Sequence, residues 1–291
     1  MYGDDYVSFE ELAERSPEAA EHGAARLFAS RADLLLRHGL TERTELSLDL
    51  SYERRRTWVE HEDEHHRNET LAGPGDVRLG LKHFLRAGQT GQLAASLGLS
   101  FPTGRRNEIT AASFLGHEQA DELGIAVPVH SHLQLGTGTL DPFVGLEALR
   151  VLDRHWLLYG AVDADLPLVG NGDGYRTAPS ATLRLGPARH VGGPGRLAWL
   201  FGELFVSGRD RFAGDDLLGP GGSLSGRFGV PNTGRLELAL TPGLTWGFGR
   251  DLTLSVQARI PLYTRIHEDA ERRDVQLTEP AGFVLGLSTS F

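Results

Sequence analysis

The chain has no cysteine, which removes disulfides, thiol nucleophiles and thiolate metal sites from consideration. Nor does it have any stretch approaching the ~18 consecutive apolar residues of a membrane-spanning helix, although 40% of its 291 residues are hydrophobic. A helical membrane protein is excluded, but a β-barrel is not, because barrel strands are only half apolar. Positive charge is in deficit, with 29 Lys and Arg against 39 Asp and Glu and a net charge of -10. That balance argues against nucleic acid as a partner. No P-loop, G-x-S-x-G or G-x-G-x-x-G is present, so the usual nucleotide and hydrolase signatures are missing. Gly222-Ser223-Leu224-Ser225-Gly226 reads as a loop, not a nucleophile elbow. The expectation is a protein that is not an enzyme, with no catalytic residues and no cofactor. Met1-Tyr2-Gly3-Asp4-Asp5 lacks the basic start and apolar core of a signal peptide. Export would then imply a mature form, a truncated sequence or a start placed too late; a cytoplasmic protein is the competing reading.

What the chain does have is a period of two. Successive strand side chains point to opposite faces. Ala32, Leu34 and Leu36 alternate with Arg31, Asp33 and Arg37, and Leu46, Leu48, Leu50 and Tyr52 with Glu45, Ser47, Asp49 and Ser51. Leu236, Leu238, Leu240, Leu244 and Trp246 form a later apolar face, and Leu252, Leu254, Val256, Ala258, Ile260 and Leu262 another. Further strands read at about 77–82, 92–101, 139–152, 156–167, 177–186, 196–207 and 277–291. Residues 1–22 differ: they are acidic, and Ser8 with Glu11 three residues on offers a capping box. They read as a helical or disordered leader, and 23–291 as one domain.

Connections alternate in length. Short ones fall near 39–43, 87–91, 153–155, 187–195 and 247–251, and long ones at 60–75, 103–137, 168–175, 208–234 and 265–276. Short turns at one end and long loops at the other are the pattern of outer-membrane barrels. The fold class expected is therefore all-β: a closed antiparallel transmembrane β-barrel of about 12 strands, of which about 11 are visible. Bacterial barrels are even-numbered, so the odd count points to one further strand, expected upstream of Met1.

The last strand sharpens this. Phe283, Leu285, Leu287, Thr289 and Phe291 alternate with small or polar residues, and the sequence stops on the aromatic. It resembles the closing strand of a bacterial outer-membrane β-barrel, which the assembly machinery reads. The resemblance implies location in a Gram-negative outer membrane. It also implies outer-membrane lipid as a partner, and the barrel-assembly machinery through Phe291. Four phrases add to it: Gly73-Pro74-Gly75-Asp76-Val77-Arg78-Leu79-Gly80-Leu81-Lys82, then Leu99-Ser100-Phe101-Pro102-Thr103-Gly104, Leu135-Gly136-Thr137-Gly138-Thr139-Leu140-Asp141-Pro142, and Leu240-Thr241-Pro242-Gly243-Leu244. Their order resembles the outer-membrane barrels grouped with the phenol meta-cleavage pathway proteins. That family implies a transporter-like barrel that passes or binds a small hydrophobic solute, and it supplies no catalytic residues. Glycine and proline at strand ends also account for these phrases structurally.

The polar face carries Arg31, Asp33, Arg37, Glu45, Asp49, Arg78, Lys82, Glu147, Asp163, Asp165, Arg184, Glu203, Glu237 and Arg259. A charge facing lipid near the midplane costs about 2–4 kcal/mol, so all fourteen are expected to face the lumen. There they either fill it with ion pairs or line a wet pore. Passive uptake or binding of a small molecule is the leading functional expectation. A non-transporting scaffold or surface protein whose loops bind a metal or partner is the alternative, and an outer-membrane enzyme with a hydrolase site in a charged barrel is a third reading. His61-Glu62-Asp63-Glu64-His65 matches H-E-x-x-H, but without an apolar helix face or a third ligand it does not read as a protease. His61, His65 and His66 amid carboxylates are candidate ligands for a divalent metal in an external loop. His130 and His132 are a weaker pair, and His267-Glu268-Asp269 a charged loop tip. Tyr52, Trp58, Trp156, Trp246 and Tyr263 fall near strand ends, where interfacial girdles place aromatics.

Overall fold

A computed structural model describes residues 25–59, 70–106, 134–172, 174–192, 195–213, 227–229, 234–248, 252–266 and 281–289. The leader at 1–22, expected to be helical or disordered, the histidines at 61, 65, 66, 130, 132 and 267, the Trp58 side chain and Phe291 lie outside what is described. Every regular element among the described residues is a strand: β1 Ala25–Thr41, β2 Thr44–Val59, β3 Thr70–Pro74, β4 Val77–Gly88, β5 Gly91–Phe101, β6 Asp141–Val151, β7 Trp156–Asp165, β8 Tyr175–Arg176, β9 Ser180–His190, β10 Arg196–Ser207, β11 Arg211–Ala213, β12 Arg227–Gly229, β13 Arg235–Phe248, β14 Leu252–Ile266 and β15 Gly282–Thr289. One large antiparallel sheet runs in the order β1-β2-β4-β5-β6-β7-β9-β10-β13-β14-β15, with β3 added to β2, and β8, β11 and β12 form a small second sheet.

Each neighbour along the large sheet is the next long strand in sequence, so the topology is an up-and-down meander. Short strands sit inside three connections that the sequence presents as loops: β3, β8, and β11 with β12. Runs of two to five residues are too short for alternation to declare itself. The long path has eleven strands, so β1 and β15 run the same way. Each has a partner on one side only among the described residues.

Register fixes which residues share a face. Leu34 faces Leu50, Leu48 faces Leu79, Leu79 faces Leu99, and Leu254 faces Leu287. The apolar face is open to its surroundings, with Leu238 42% and Leu285 74% exposed. The opposite face is where burial occurs, with Glu203 at 6% and Glu237 at 2% exposure. This inverts a soluble sheet, whose leucines are buried and charges exposed.

The polar face is also the concave one. Arg78 on β4 reaches Asp165 on β7, three strands away. Strands lie ~4.8 Å apart, so that pair would have to span ~14 Å on a flat sheet. Side chains on the inside of a curl converge; those outside diverge. Aromatic rings also lie flat on this face where the opposing position is glycine. Phe143 covers Gly98 and Trp199 covers Gly243 at contacts that any added Cβ would violate, and Phe143 also reaches over Gly80.

At β14 the register slips between Leu238 and Ala239, so that Tyr263 and Pro261 pair there and Leu262 is the extra residue. Proline has no N–H for the ladder, and a bulge is where a strand tolerates it. Tyr263 and Tyr52 stay on the exposed face, and Trp156 opens β7 on that face beside the short connection 152–155.

Candidate functional site: the concave face and the cavity at its long-connection end

Alternation places all fourteen expected charges on one face, and side-chain length then decides which of them meet. Lys82 Nζ donates to Glu147 Oε1 at 2.7 Å, from β4 to β6. Arg78 Nη2 donates to Asp165 Oδ1 at 2.6 Å and its guanidinium stacks over the Phe143 ring, 4.3 Å from the centroid. A continuous chain of charges crosses the other half. Arg184 donates to Asp163 Oδ2 at 3.1 Å and to Glu203 Oε2 at 2.9 Å. Arg259 donates to Glu203 Oε1 at 2.7 Å and also pairs with Glu237. Glu237 in turn lies 3.8 Å from Arg235. Signs alternate along Asp163–Arg184–Glu203–Arg259–Glu237–Arg235, so each charge is flanked by its opposite. The buried carboxylates Glu203 and Glu237 therefore have the partners that a low-dielectric position requires.

Near β1 the pairing is looser. Arg31 meets Asp33 at 2.5 Å and Glu53 at 3.4 Å, and Arg37 meets Glu45 at 3.5 Å. Asp49 faces Arg78 in register, and its Oδ1 is buried without a hydrogen-bond partner among the described residues. Inward aromatics that the sequence did not single out sit beside the charges. Tyr159 and Phe201 rings are 5.1 Å apart, and Trp199 and Phe201 6.2 Å.

A cavity of about 460 Å³ opens at the long-connection end, with Arg31, Glu53, Arg78, Asp165, Thr137, Tyr175 and Asp210 in its wall. Its rim is knitted from four connections, those leading into β4, β6 and β9 and the one leaving β10. Asp76, just before β4, accepts the Gly104 N–H and the Thr137 N–H, each at 2.8 Å. Thr137 and Thr139 hydroxyls donate to Asp141 at 2.6 and 2.5 Å. This clasp turns 134–140 onto the concave face, with Leu135 buried beneath it. Asn171 Nδ2 donates to the Thr137 carbonyl at 3.3 Å and Oδ1 accepts the Tyr175 N–H at 3.0 Å. Tyr175 then donates its hydroxyl to Asp210, which also accepts the Ala178 N–H at 2.7 Å. Burial pushes the Asp210 carboxyl above its ordinary range. Burial and the adjacent Asp210 push the Tyr175 phenol strongly upward too, so it stays a donor.

This rim offers hydrogen bonds and charges of both signs and, among the described residues, no activated nucleophile beside a base. Among the described residues no three His, Cys, Asp or Glu side chains converge as metal ligands. His61, His65 and His66 lie outside the described residues, and a metal there is a separate proposal. Glu53 and Arg55 extend the parity of Asp49 and Ser51. The sequence hid them because Arg54 and Arg56 charge the other face too. Asp76 and Asp210 had no periodic signal, since each is placed by a partner far along the chain, whereas Asp141 is held by Thr137 and Thr139 just before it.

No family model matches the chain, and no curated protein matches it. Among solved structures it is similar to the COG4313 outer membrane channel from Pseudomonas putida F1, at 16% identity and a TM-score of 0.58, over 89% of this chain and 81% of that one. At that identity the likeness carries the fold. The chain has the all-β antiparallel architecture of an outer-membrane channel barrel, and the finer grouping with phenol meta-cleavage proteins rests on the sequence phrases alone.

Proposed function

We propose that the protein is an outer-membrane β-barrel for passive uptake or binding of a small molecule, received at the long-connection end. The observation that carries this is the inverted partition of the sheet: an exposed leucine face set against a concave face where most charges pair across strands and Glu203 and Glu237 are buried. Hydrocarbon outside and polar contents inside account for that partition; water on both sides does not. The fourteen charges are read as facing the lumen, and the long-connection end as the outer one. Because β1 and β15 run in parallel, one antiparallel strand between them would complete a barrel of 12. Most of these charges sit against an opposite one, which favours a neutral or apolar solute over an ion. The family resemblance points the same way, toward small hydrophobic molecules. Movement would be down a gradient, with no energy source involved.

A second reading, a barrel that does not transport, draws support from the ion pairs that bridge non-adjacent strands and occupy the interior. Planar-bilayer recording of refolded protein, run beside solute uptake into proteoliposomes, separates the two. Discrete conductance steps or accelerated uptake favour passage; silence in both, with the protein demonstrably inserted, favours the scaffold. Failure to partition into vesicles, with no heat-modifiable band in mild detergent, sinks the membrane reading itself.

A further inference from the structure

The leucine face is not uniform: at the short-connection end it is grooved and strongly basic. Register lays one row across five strands, with Arg86 opposite Leu93, Leu93 opposite Ala148, Ala148 opposite Gly160 and Gly160 opposite Leu185. Arg86 reaches this face because the register of β4 slips between Phe84 and Arg86, leaving Leu85 as the extra residue. Alanine and glycine in the middle of the row leave a depression between Leu93, Leu158 and Leu185, and a groove of about 300 Å³ is found there. Arg150 lies one step nearer the connections, opposite Leu158, and Arg86 and Arg150 both border the groove.

The basic rim continues beyond it. Trp156 faces Arg189, whose guanidinium carbon sits 5.3 Å from the indole centroid, and Arg196 faces Trp246. Arg86, Arg150, Arg189 and Arg196 are all exposed. The acidic residues of these strands, Glu147, Asp163, Asp165, Asp141 and Glu203, point to the concave side. In the β6–β7 turn, Asp153 accepts the backbone N–H groups of His155 and Trp156 at 2.7 and 2.8 Å.

We infer that this groove is a binding site for an anionic glycerophospholipid: an acyl chain lies along Leu93, Ala148, Gly160 and Leu185, and the phosphate sits on Arg86 and Arg150. The inference rests on the membrane reading above. The short-connection end is then the periplasmic one, where the leaflet is glycerophospholipid. Basic residues at a headgroup surface attract anionic lipid, and Trp anchors the same level. Charge selects the headgroup; the missing side-chain volume at positions 148 and 160 selects the chain.

Native mass spectrometry of the refolded protein tests this, using phosphatidylglycerol against phosphatidylcholine of the same acyl chains. The native protein should retain phosphatidylglycerol preferentially. The double variant R86Q/R150Q should lose about 25-fold in phosphatidylglycerol retention, about 5-fold per charge, the equivalent of about 1 kcal/mol each, with phosphatidylcholine unchanged. Ala148→Leu, which fills the groove from an exposed position, should lower retention of both. Equal retention of the two lipids by the native protein overturns the site, as does undiminished phosphatidylglycerol in the double variant. Vesicle insertion and heat-modifiable mobility, measured on the same samples, distinguish the causes. An inserted protein that does not discriminate loses only this site; a protein that never inserts loses the membrane reading as well.

Discussion

Breaking the Glu203–Arg259 pair tests whether the concave side is dry. The Glu203 side chain is 8% exposed and Arg259 20%, with 2.7 Å between Oε1 and Nε. Removing one partner of a buried pair costs about 3–5 kcal/mol, because the other charge is stranded. The Glu203–Arg184 contact is a useful internal control. It is also short, at 2.9 Å, but Arg184 is 38% exposed, so solvent screening reduces its worth to about 1 kcal/mol or less. Two double-mutant cycles sharing Glu203→Ala, one with Arg259→Ala and one with Arg184→Ala, separate the terms.

The expected coupling is about 3 kcal/mol for Arg259 and under about 1 kcal/mol for Arg184. Denaturant unfolding of the refolded protein in detergent micelles, followed by tryptophan fluorescence, supplies the free energies. Added salt should shrink the Arg184 term more than the Arg259 term, since buried pairs are screened less. Equal couplings, or an Arg259 term below about 0.5 kcal/mol, would refute the argument: the pair would then stand in bulk-like water.

Three further outcomes are expected. Val256→Arg, on the exposed face of β14, should destabilise the membrane-inserted protein by about 2–4 kcal/mol, whereas Gln257→Arg, next in sequence on the concave face, should cost under half as much; equal costs would mean the two faces see the same solvent. Gly243→Ala puts a Cβ into the Trp199 indole and should cost about 1–3 kcal/mol by overpacking, with a shifted tryptophan emission; unchanged stability and emission would move Trp199 off that glycine. The raised Asp210 carboxyl favours its proton in the folded state, so its contribution is full below the ordinary carboxylate pKa and is lost as pH rises through the raised value. Hydrogen exchange at the Ala178 N–H, corrected for intrinsic rate, should show easier opening across that window and no such trend in Asp210→Asn; protection that grows with pH would contradict the assignment.

The long strands were legible because the two faces carry different kinds of residue. Glu237 beside Leu238, and Gln257 beside Val256, are adjacent residues with opposite requirements, and such contrasts repeated over ten residues leave little freedom of interpretation. The same contrast located the charges, though not their pairings. Nothing in a local window says that Arg78 would choose Asp165 across three strands over Asp49, its neighbour in register. Curvature makes that choice, and curvature is a property of the whole sheet. The rim was opaque for a related reason. Asp76 and Thr137 are 61 residues apart, and a single hydrogen bond between distant loops leaves no period. Gly136 and Gly138 suggest a bend, but not that the bend is folded inward and held by two carboxylates.

The paired interior and the proposed passage constrain each other. The wall of the cavity includes Arg78 and Asp165, so a solute resting there meets a bridge that joins β4 to β7. A strong Glu203–Arg259 coupling requires little water around that pair, while steady ionic conductance requires a continuous water column beside it. The two results cannot both be large in one resting state. Strong coupling with brief, rare conductance steps would describe a closed interior in which ion pairs part only transiently. Weak coupling with steady conductance would describe an open pore whose charges are hydrated. Strong coupling with electrical silence but measurable uptake of an apolar solute would leave one route: the solute moves past the paired charges without ions following. Pairwise neutral walls favour that route, because separating a buried pair costs more than sliding an uncharged molecule along the flat rings of Phe143, Tyr159 and Trp199.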